Sequence, residues 1–328
     1  MTVSVGFGLL SSCQRLGRTR RARRKRAIPA GNCRCVTKCK YCGRDDLRQC
    51  YDSDISDEGF AAILPFLESR PKVKSGRPME YAWRDIVDSV FYVLRTGCQW
   101  RQMPHDLVKW WAAYRWFRAL SEDGTWRRIH DGLHARIRTG EGRAPEPTAC
   151  ALDSQSVQSS EGGEEISFDK FKHCRGRKRH LAADTLGFLC ARKVTGARVS
   201  DRTAGREVLA EAAARHADLA LAWVDGGYAN TVDDSLIDWA RENTGIEVVV
   251  VKRTDDAKGF RILPRRWVIE RTNAWISAHR RLAREYERLV ECSEAMIDLA
   301  MIDVMAARLA GGTTWRHWRD MKSTPSAT

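Results

Sequence analysis

Ala151-Leu-Asp-Ser-Gln-Ser-Val157 sets Asp153 inside a short apolar run that opens at Thr148, behind Pro147, and carries Ala149, Ala151, Leu152 and Val157. A run of that length, bounded by a proline and a polar loop, reads as a buried strand. A carboxylate inside it is costly to desolvate unless something compensates. Working outward, Leu219 to Val224 is a second apolar run. Asp225 ends it just before Gly226 and Gly227, where a tight turn lets backbone approach a ligand. Strand ends are where open α/β sheets bind ligands. The third acid, Glu270, lies where Trp267, Ile269, Trp275, Ile276 and Leu282 recur near helical spacing behind the helix-starting Pro264.

Metal-assisted phosphoryl transfer needs hard oxygen ligands on rigid elements, because two divalent ions about 4 Å apart must grip both the attacking and the leaving oxygen. Asp153, Asp225 and Glu270 are ligands of that kind. Each acid taken singly has an ordinary reading too: Asp225 as a turn cap, Glu270 as an exposed helical acid paired to arginine. Asp153 is the hardest to dismiss. Arg265, Arg266, Arg271, Arg280, Arg281 and Arg284 make the Glu270 segment a phosphate-contacting surface, and Arg175, Arg177, Lys178 and Arg179 form a second basic cluster. His173 and His180, each alone in basic sequence, read as solvated or phosphate-facing groups and not as catalysts.

The ordered motifs Leu-Asp-Ser-Gln-Ser-Val (152–157), Gly-Arg-Lys-Arg-His-Leu (176–181), Asp-Thr-Leu-Gly (184–187), Val-Asp-Gly-Gly-Tyr (224–228), Arg-Trp-Val-Ile-Glu-Arg-Thr-Asn-Ala-Trp-Ile (266–276) and Arg-Arg-Leu-Ala-Arg-Glu-Tyr-Glu-Arg (280–288) resemble bacterial insertion-sequence transposases of the DDE type. The insertion-sequence-five group is the most similar. Upstream, residues 94–106 and 123–126 are similar to that group's amino-terminal helical domain, so the resemblance runs from about Asp54 to Leu309. It implies a ribonuclease-H-like α/β catalytic domain with a mixed sheet, preceded by an all-helical DNA-binding domain. It further implies Asp153, Asp225 and Glu270 as the catalytic triad and the ligands of two Mg²⁺ ions, with Mn²⁺ able to substitute, and Asp153 as the candidate bridge between the ions. The implied chemistry is nicking at transposon ends and strand transfer into target DNA, by a homodimer acting on double-stranded terminal inverted repeats. Arg266 fits the accessory pattern of the third motif, whereas Leu263 and Ser277 stand where that pattern has Tyr and Lys.

Composition bounds the rest. A chain that is 43% apolar and 30% charged is ordinary for a globular protein, and it holds no run of about 18 apolar residues to span a membrane. Of the +14 formal charge, residues 1–50 account for +11, with 13 Lys and Arg against Asp45 and Asp46, so the bulk charge says little about the catalytic body. Six of the 11 cysteines also fall in that segment, and only Cys39 and Cys42 make a normal C-x2-C pair. The other five stand singly, which fits reduced thiols and a bacterial cytoplasmic, nucleoid-associated protein. Residues 1–52 read as a disordered basic extension, 53–140 as helical, 141–312 as catalytic and 313–328 as a tail.

In the helical part, Ser56 or Asp57 caps a first helix, Ile86 to Leu94 make a second apolar stripe ending at Gly97, and Trp126, Ile129, Leu133 and Ile137 a last one. The segment 109–120 mixes Trp110, Tyr114 and Phe117 with Arg115 and Arg118, so it fits either a packed helix or a recognition helix. From Asp153 onward the order reads β-β-β-α-β-α-β-α, with 159–165 as a loop and the Val-rich 247–251 as a central parallel strand. A catalytically inactive DNA-binding remnant and a general ribonuclease-H-like nuclease are the competing functions.

Overall fold

The computed structural model describes residues 51–70, 79–229, 235–251 and 264–311, without the side chains of 264–266. The amino-terminal cysteines and basic residues of 1–50 and the carboxyl-terminal tail lie outside the described residues, as do Lys72, Lys74 and Arg77, which read from the sequence as a basic loop able to contact phosphates, and the first residues of a helix that the sequence predicts over 231–242. Tyr51, read as part of the extension, packs edge-on against Tyr92 and donates to Asp106 at 2.7 Å.

Four helices come first: α1 (Asp57–Glu68), α2 (Trp83–Thr96), α3 (Trp110–Glu122) and α4 (Thr125–Gly140). Ser56 caps α1 by accepting from the Gly59 amide, and Gly97 ends α2 in the left-handed conformation that costs glycine least. Then follow β1 (Ala149–Gln158), β2 (Ser167–Asp169), β3 (Cys174–Asp184), β4 (Leu189–Gly196), α5 (Asp201–Arg215), β5 (Leu221–Val224), α6 (Leu236–Thr244), β6 (Glu247–Val250), α7 (Pro264–Ser277) and α8 (Val290–Leu309).

The sheet is mixed. β1 runs antiparallel to β3 and parallel to β5, β6 runs parallel beyond β5, and β2 and β4 both pair with β3. Two expectations are corrected here. The Val-rich strand β6 sits at the sheet edge, since nothing pairs beyond it among the described residues. β2 is an additional strand just after the expected 159–165 loop, and its three residues are too few to show a period.

Alternation along β1 sorts its side chains to two faces. Cys150 and Leu152 join a core with Val208, Leu209 and Ala212 of α5, whereas Ala151 joins a larger core with Ile269 and Ile276 of α7 and the apolar side of α8. That larger core also takes in Ile63, Phe91, Phe117 and Ile129, so the helical part and the sheet are packed as one body through α8. Three charged side chains lock this junction. Asp298 of α8 accepts from Arg127 of α4 at 3.0 Å and from Arg192 of β4 at 2.5 Å. This is a helical region followed by a ribonuclease-H-like mixed α/β sheet.

Candidate active site

The acids are placed by the sheet. The parallel register pairs Ala149 with Leu221, Cys150 with Ala222 and Ala151 with Trp223. The same offset continued two residues brings Asp225 level with Asp153, on the face that holds Ala151 and is covered by α7. Asp225 also fills the ordinary role open to it, accepting from the Gly227 amide at 2.9 Å. Asp153 and Asp225 are both partly exposed.

Tyr228 reports the charge gathered there. It is 1% exposed, and its hydroxyl, near Ser154, makes no hydrogen bond of ordinary length. Burial, then the charges of Asp201 and Asp153, with Asp225 adding to them, push its ionisation well above the ordinary tyrosine value. Asp201, the first residue of α5, accepts from Ser154 at 2.8 Å and from Lys178 at 3.1 Å. Sequence reasoning passed over Tyr228, Asp201 and Ser154. The available signal was Tyr228 in Val-Asp-Gly-Gly-Tyr and Ser154 next to Asp153 on the opposite face of the strand.

Glu270 stands exposed on α7, beside the buried Ile269. The helix is seated by hydrogen bonds to the β3–β4 turn. Thr272 Oγ1 donates to the Gly187 carbonyl at 2.8 Å, Arg271 Nη2 donates to the Leu186 carbonyl at 2.8 Å, and Trp275 stacks on Phe188. Gly187 has φ of 90°, and a Cβ there would lie 2.9 Å from Trp275 and 3.0 Å from Arg271. Asp184 holds the turn from within, accepting from the amides of Leu186 and Phe188 and pairing with His134 and Arg138. Among the described residues no group of three or more His, Cys, Asp or Glu side chains stands close enough together to hold a metal ion. The donor chemistry suits Mg²⁺: the carboxylate oxygens of Asp153 and Asp225, level on neighbouring chain segments, are hard ligands.

The basic clusters separate into two kinds. Arg175 and Arg280 are exposed, as expected of phosphate contacts, and Arg271 is half-buried over the Trp275 ring. Arg177, Lys178, Arg179 and Arg281 are corrected: they are buried and committed inside the fold. Arg177 donates to the carbonyls of Glu164, Glu287 and Arg288, and Arg179 to that of Leu282. Lys178 donates to the Val199 carbonyl and Asp201, and Arg281 to Glu287. Glu285, 1% exposed, lies 3.5 Å from Arg177 and 3.7 Å from Arg179 and receives Ser293. A buried guanidinium must be paired and hydrogen-bonded, and β3, flanked by strands on both edges, buries both of its faces. The Arg266 side chain lies outside the described residues. His180 is corrected as well. It is a strand residue with no exposure, its Nε2 2.9 Å from Thr195 Oγ1, and burial pushes its pKa down to about 4.

Comparison with known proteins reports on both parts of the chain. Residues 55–130 match the family described as "Putative transposase of IS4/5 family", and residues 144–302 match the family described as "Transposase DDE domain". The "Insertion element IS402 uncharacterized 16.2 kDa protein" of Burkholderia cepacia is 28% identical over 120 residues, which are 34% of this chain and 78% of that protein. With a match to a putative IS4/5 transposase family over the helices, and a second match over the strands that align Asp153 with Asp225 and the helix that carries Glu270, the chain carries a transposase DDE domain.

Proposed function

We propose that this transposase nicks the ends of its element and joins them to target DNA with Asp153, Asp225 and Glu270 as the ligands of two Mg²⁺ ions, Mn²⁺ serving as a substitute. The observation that carries this reading is the common level of Asp153 and Asp225 on neighbouring parallel strands, on the sheet face that α7 covers. When bound, the ions supply charge neutralisation at the scissile phosphate and activation of the attacking oxygen. The side chains do the positioning. Asp153 sits on the rigid central strand, Asp225 is oriented by the Gly227 amide, and Glu270 approaches with the helix that Thr272 and Arg271 fasten to the β3–β4 turn.

Arg175 and Arg280 are the exposed cations that support a duplex path. On α3, Ala112, Ala113, Phe117 and Leu120 are buried while Trp110 and Trp111 are exposed, each with an arginine over its ring, which supports DNA contact from that face. The substrate is double-stranded terminal repeat and target DNA, the active species a homodimer, and the compartment the bacterial cytoplasm. No helix among the described residues is long and apolar enough to cross a membrane.

The deciding experiment is a Mg²⁺-dependent cleavage and joining assay on the element's own ends, comparing the wild-type chain with Glu270→Ala. Nicked and joined products from wild type and none from the variant support the reading. Cutting without joining would point to a plain nuclease. Binding without cleavage by the wild-type chain would point to a DNA-binding remnant.

A further inference from the structure

The turn between β2 and β3 carries an aromatic side chain that the fold does not use. Phe171 is 97% exposed and Phe168 is 50% exposed, the latter edge-on to His173. Lys170, Lys172, His173 and Arg175 surround them, all exposed and without an ion pair among the described residues. Leaving a phenylalanine in water forfeits most of the stabilisation its burial would give, so nothing in folding calls for it there.

The turn is nonetheless built. Asp169 is 3% exposed, and one of its carboxylate oxygens accepts from the amides of Phe171 at 2.9 Å and Lys172 at 3.1 Å. The other accepts from Ser156 at 2.8 Å, with the Lys178 ammonium 3.9 Å away. Burial opposes the charge of Asp169, yet the Lys172 amide, Ser156, the Phe171 amide and Lys178 together hold its pKa below the ordinary aspartate value. His173 closes the turn with φ of 48°. An inward-facing acid thus fixes a backbone that turns its aromatic and basic side chains outward.

Position matters as much as chemistry. β1 and β5 run parallel, and the turn lies beyond the carboxyl end of β1, in the same direction along the sheet as Asp225 lies beyond β5. Leu181 stands opposite Asp153 and Cys174 begins β3. The path between them is about 24 Å at strand rise, a span of about seven base pairs of B-form DNA.

We propose that the 170–173 turn is a DNA contact in which Phe171 stacks on a base freed from the duplex stack, while Lys170 and Lys172 take the flanking phosphates. The proposal rests on the chain acting on DNA as a transposase. Lysines beside an aromatic with an open face are the pattern that holds unpaired nucleotides without regard to sequence, and a nick gives bases room to leave the stack.

The test uses the full chain and two fluorescent probes, a fully paired duplex and the same duplex with one unpaired 2-aminopurine. Wild type should bind the unpaired probe more tightly and quench its 2-aminopurine. Phe171→Ala should lose about tenfold affinity for that probe alone, and Phe171→Trp should restore it. Lys170→Gln with Lys172→Gln should weaken both probes and lower the salt slope by about 2. Phe171 is too exposed for its loss to unfold the chain. Phe171→Ala binding both probes like wild type overturns the proposal, as does an equal loss on both, or an effect confined to self-association in sedimentation. Failure of wild type to bind either probe would instead overturn the DNA-acting reading beneath it.

Discussion

Asp225 stands level with Asp153 because β1 and β5 pair in a parallel register that sets Ala151 beside Trp223. As ligands of the proposed ions the two acids serve the chemical step, so Asp153→Asn should abolish cleavage, by about 10³-fold or more, while leaving DNA binding nearly intact. Wild type should gain thermal stability with Mg²⁺ and the variant should gain little. Loss of binding in step with loss of cleavage would remove Asp153 from the metal-binding role.

The buried arginines predict a separation of stability from DNA affinity. Removing Glu285 leaves Arg177 and Arg179 with uncompensated charge in the interior, so Glu285→Ala should cost about 3–5 kcal/mol in urea unfolding. Arg175→Ala and Arg280→Ala touch exposed cations. Each should keep stability within about 0.5 kcal/mol and lower the salt slope of DNA binding by about 1. An Arg179→Ala chain that stayed fully stable yet lost DNA affinity would contradict the internal role assigned to that guanidinium.

Much of this was legible beforehand. Asp153 in its strand, Asp225 at a strand end and Glu270 on a helix were readable because an acid in an apolar run and a Gly-Gly turn are local signals. The mixed order of strands followed from the family motifs. The basic clusters were not legible, because Arg175 and Arg177 look alike in sequence and differ only in what lies beside them. Arg177 gains Glu285 and three carbonyls from segments remote in the chain, and no local pattern announces that. His180 fails for the same reason: β3 continues through the basic stretch and takes the ring inside.

Histidine burial sets a pH dependence. His130, wholly buried beside Asp131, Arg127 and Asp298, and His180, facing Thr195, Asp201, Lys178, Glu207 and Lys172, are both held near a pKa of about 4, chiefly by desolvation. Their unfolded values lie near 6.5, so below that pH the unfolded chain takes up protons that the folded chain refuses. Stability should be full above about pH 6.5 and fall toward pH 4, with each histidine costing about 1 kcal/mol by pH 5.5. Urea unfolding at pH 7.5 and 5.5 measures the difference, and His130→Leu should shrink it. An unchanged difference in that variant would mean that His130 does not titrate as its burial requires.

Gly187 offers a way to move Glu270 without touching it. The residue combines a left-handed φ of 90° with the close approach of Trp275 and Arg271, so alanine there is strained in backbone and crowded by the helix. Relief comes most easily by lifting α7, which is held at this point by the Leu186 and Gly187 carbonyls. Gly187→Ala should lower cleavage by about 10²-fold, the scale on which small misplacements act, and cost about 2 kcal/mol of stability. Affinity for terminal DNA should change little, since Arg175 and Arg280 lie on other elements. A variant with lowered stability but wild-type cleavage at a temperature where both chains are folded would show that the seat of α7 on the β3–β4 turn does not govern the position of Glu270.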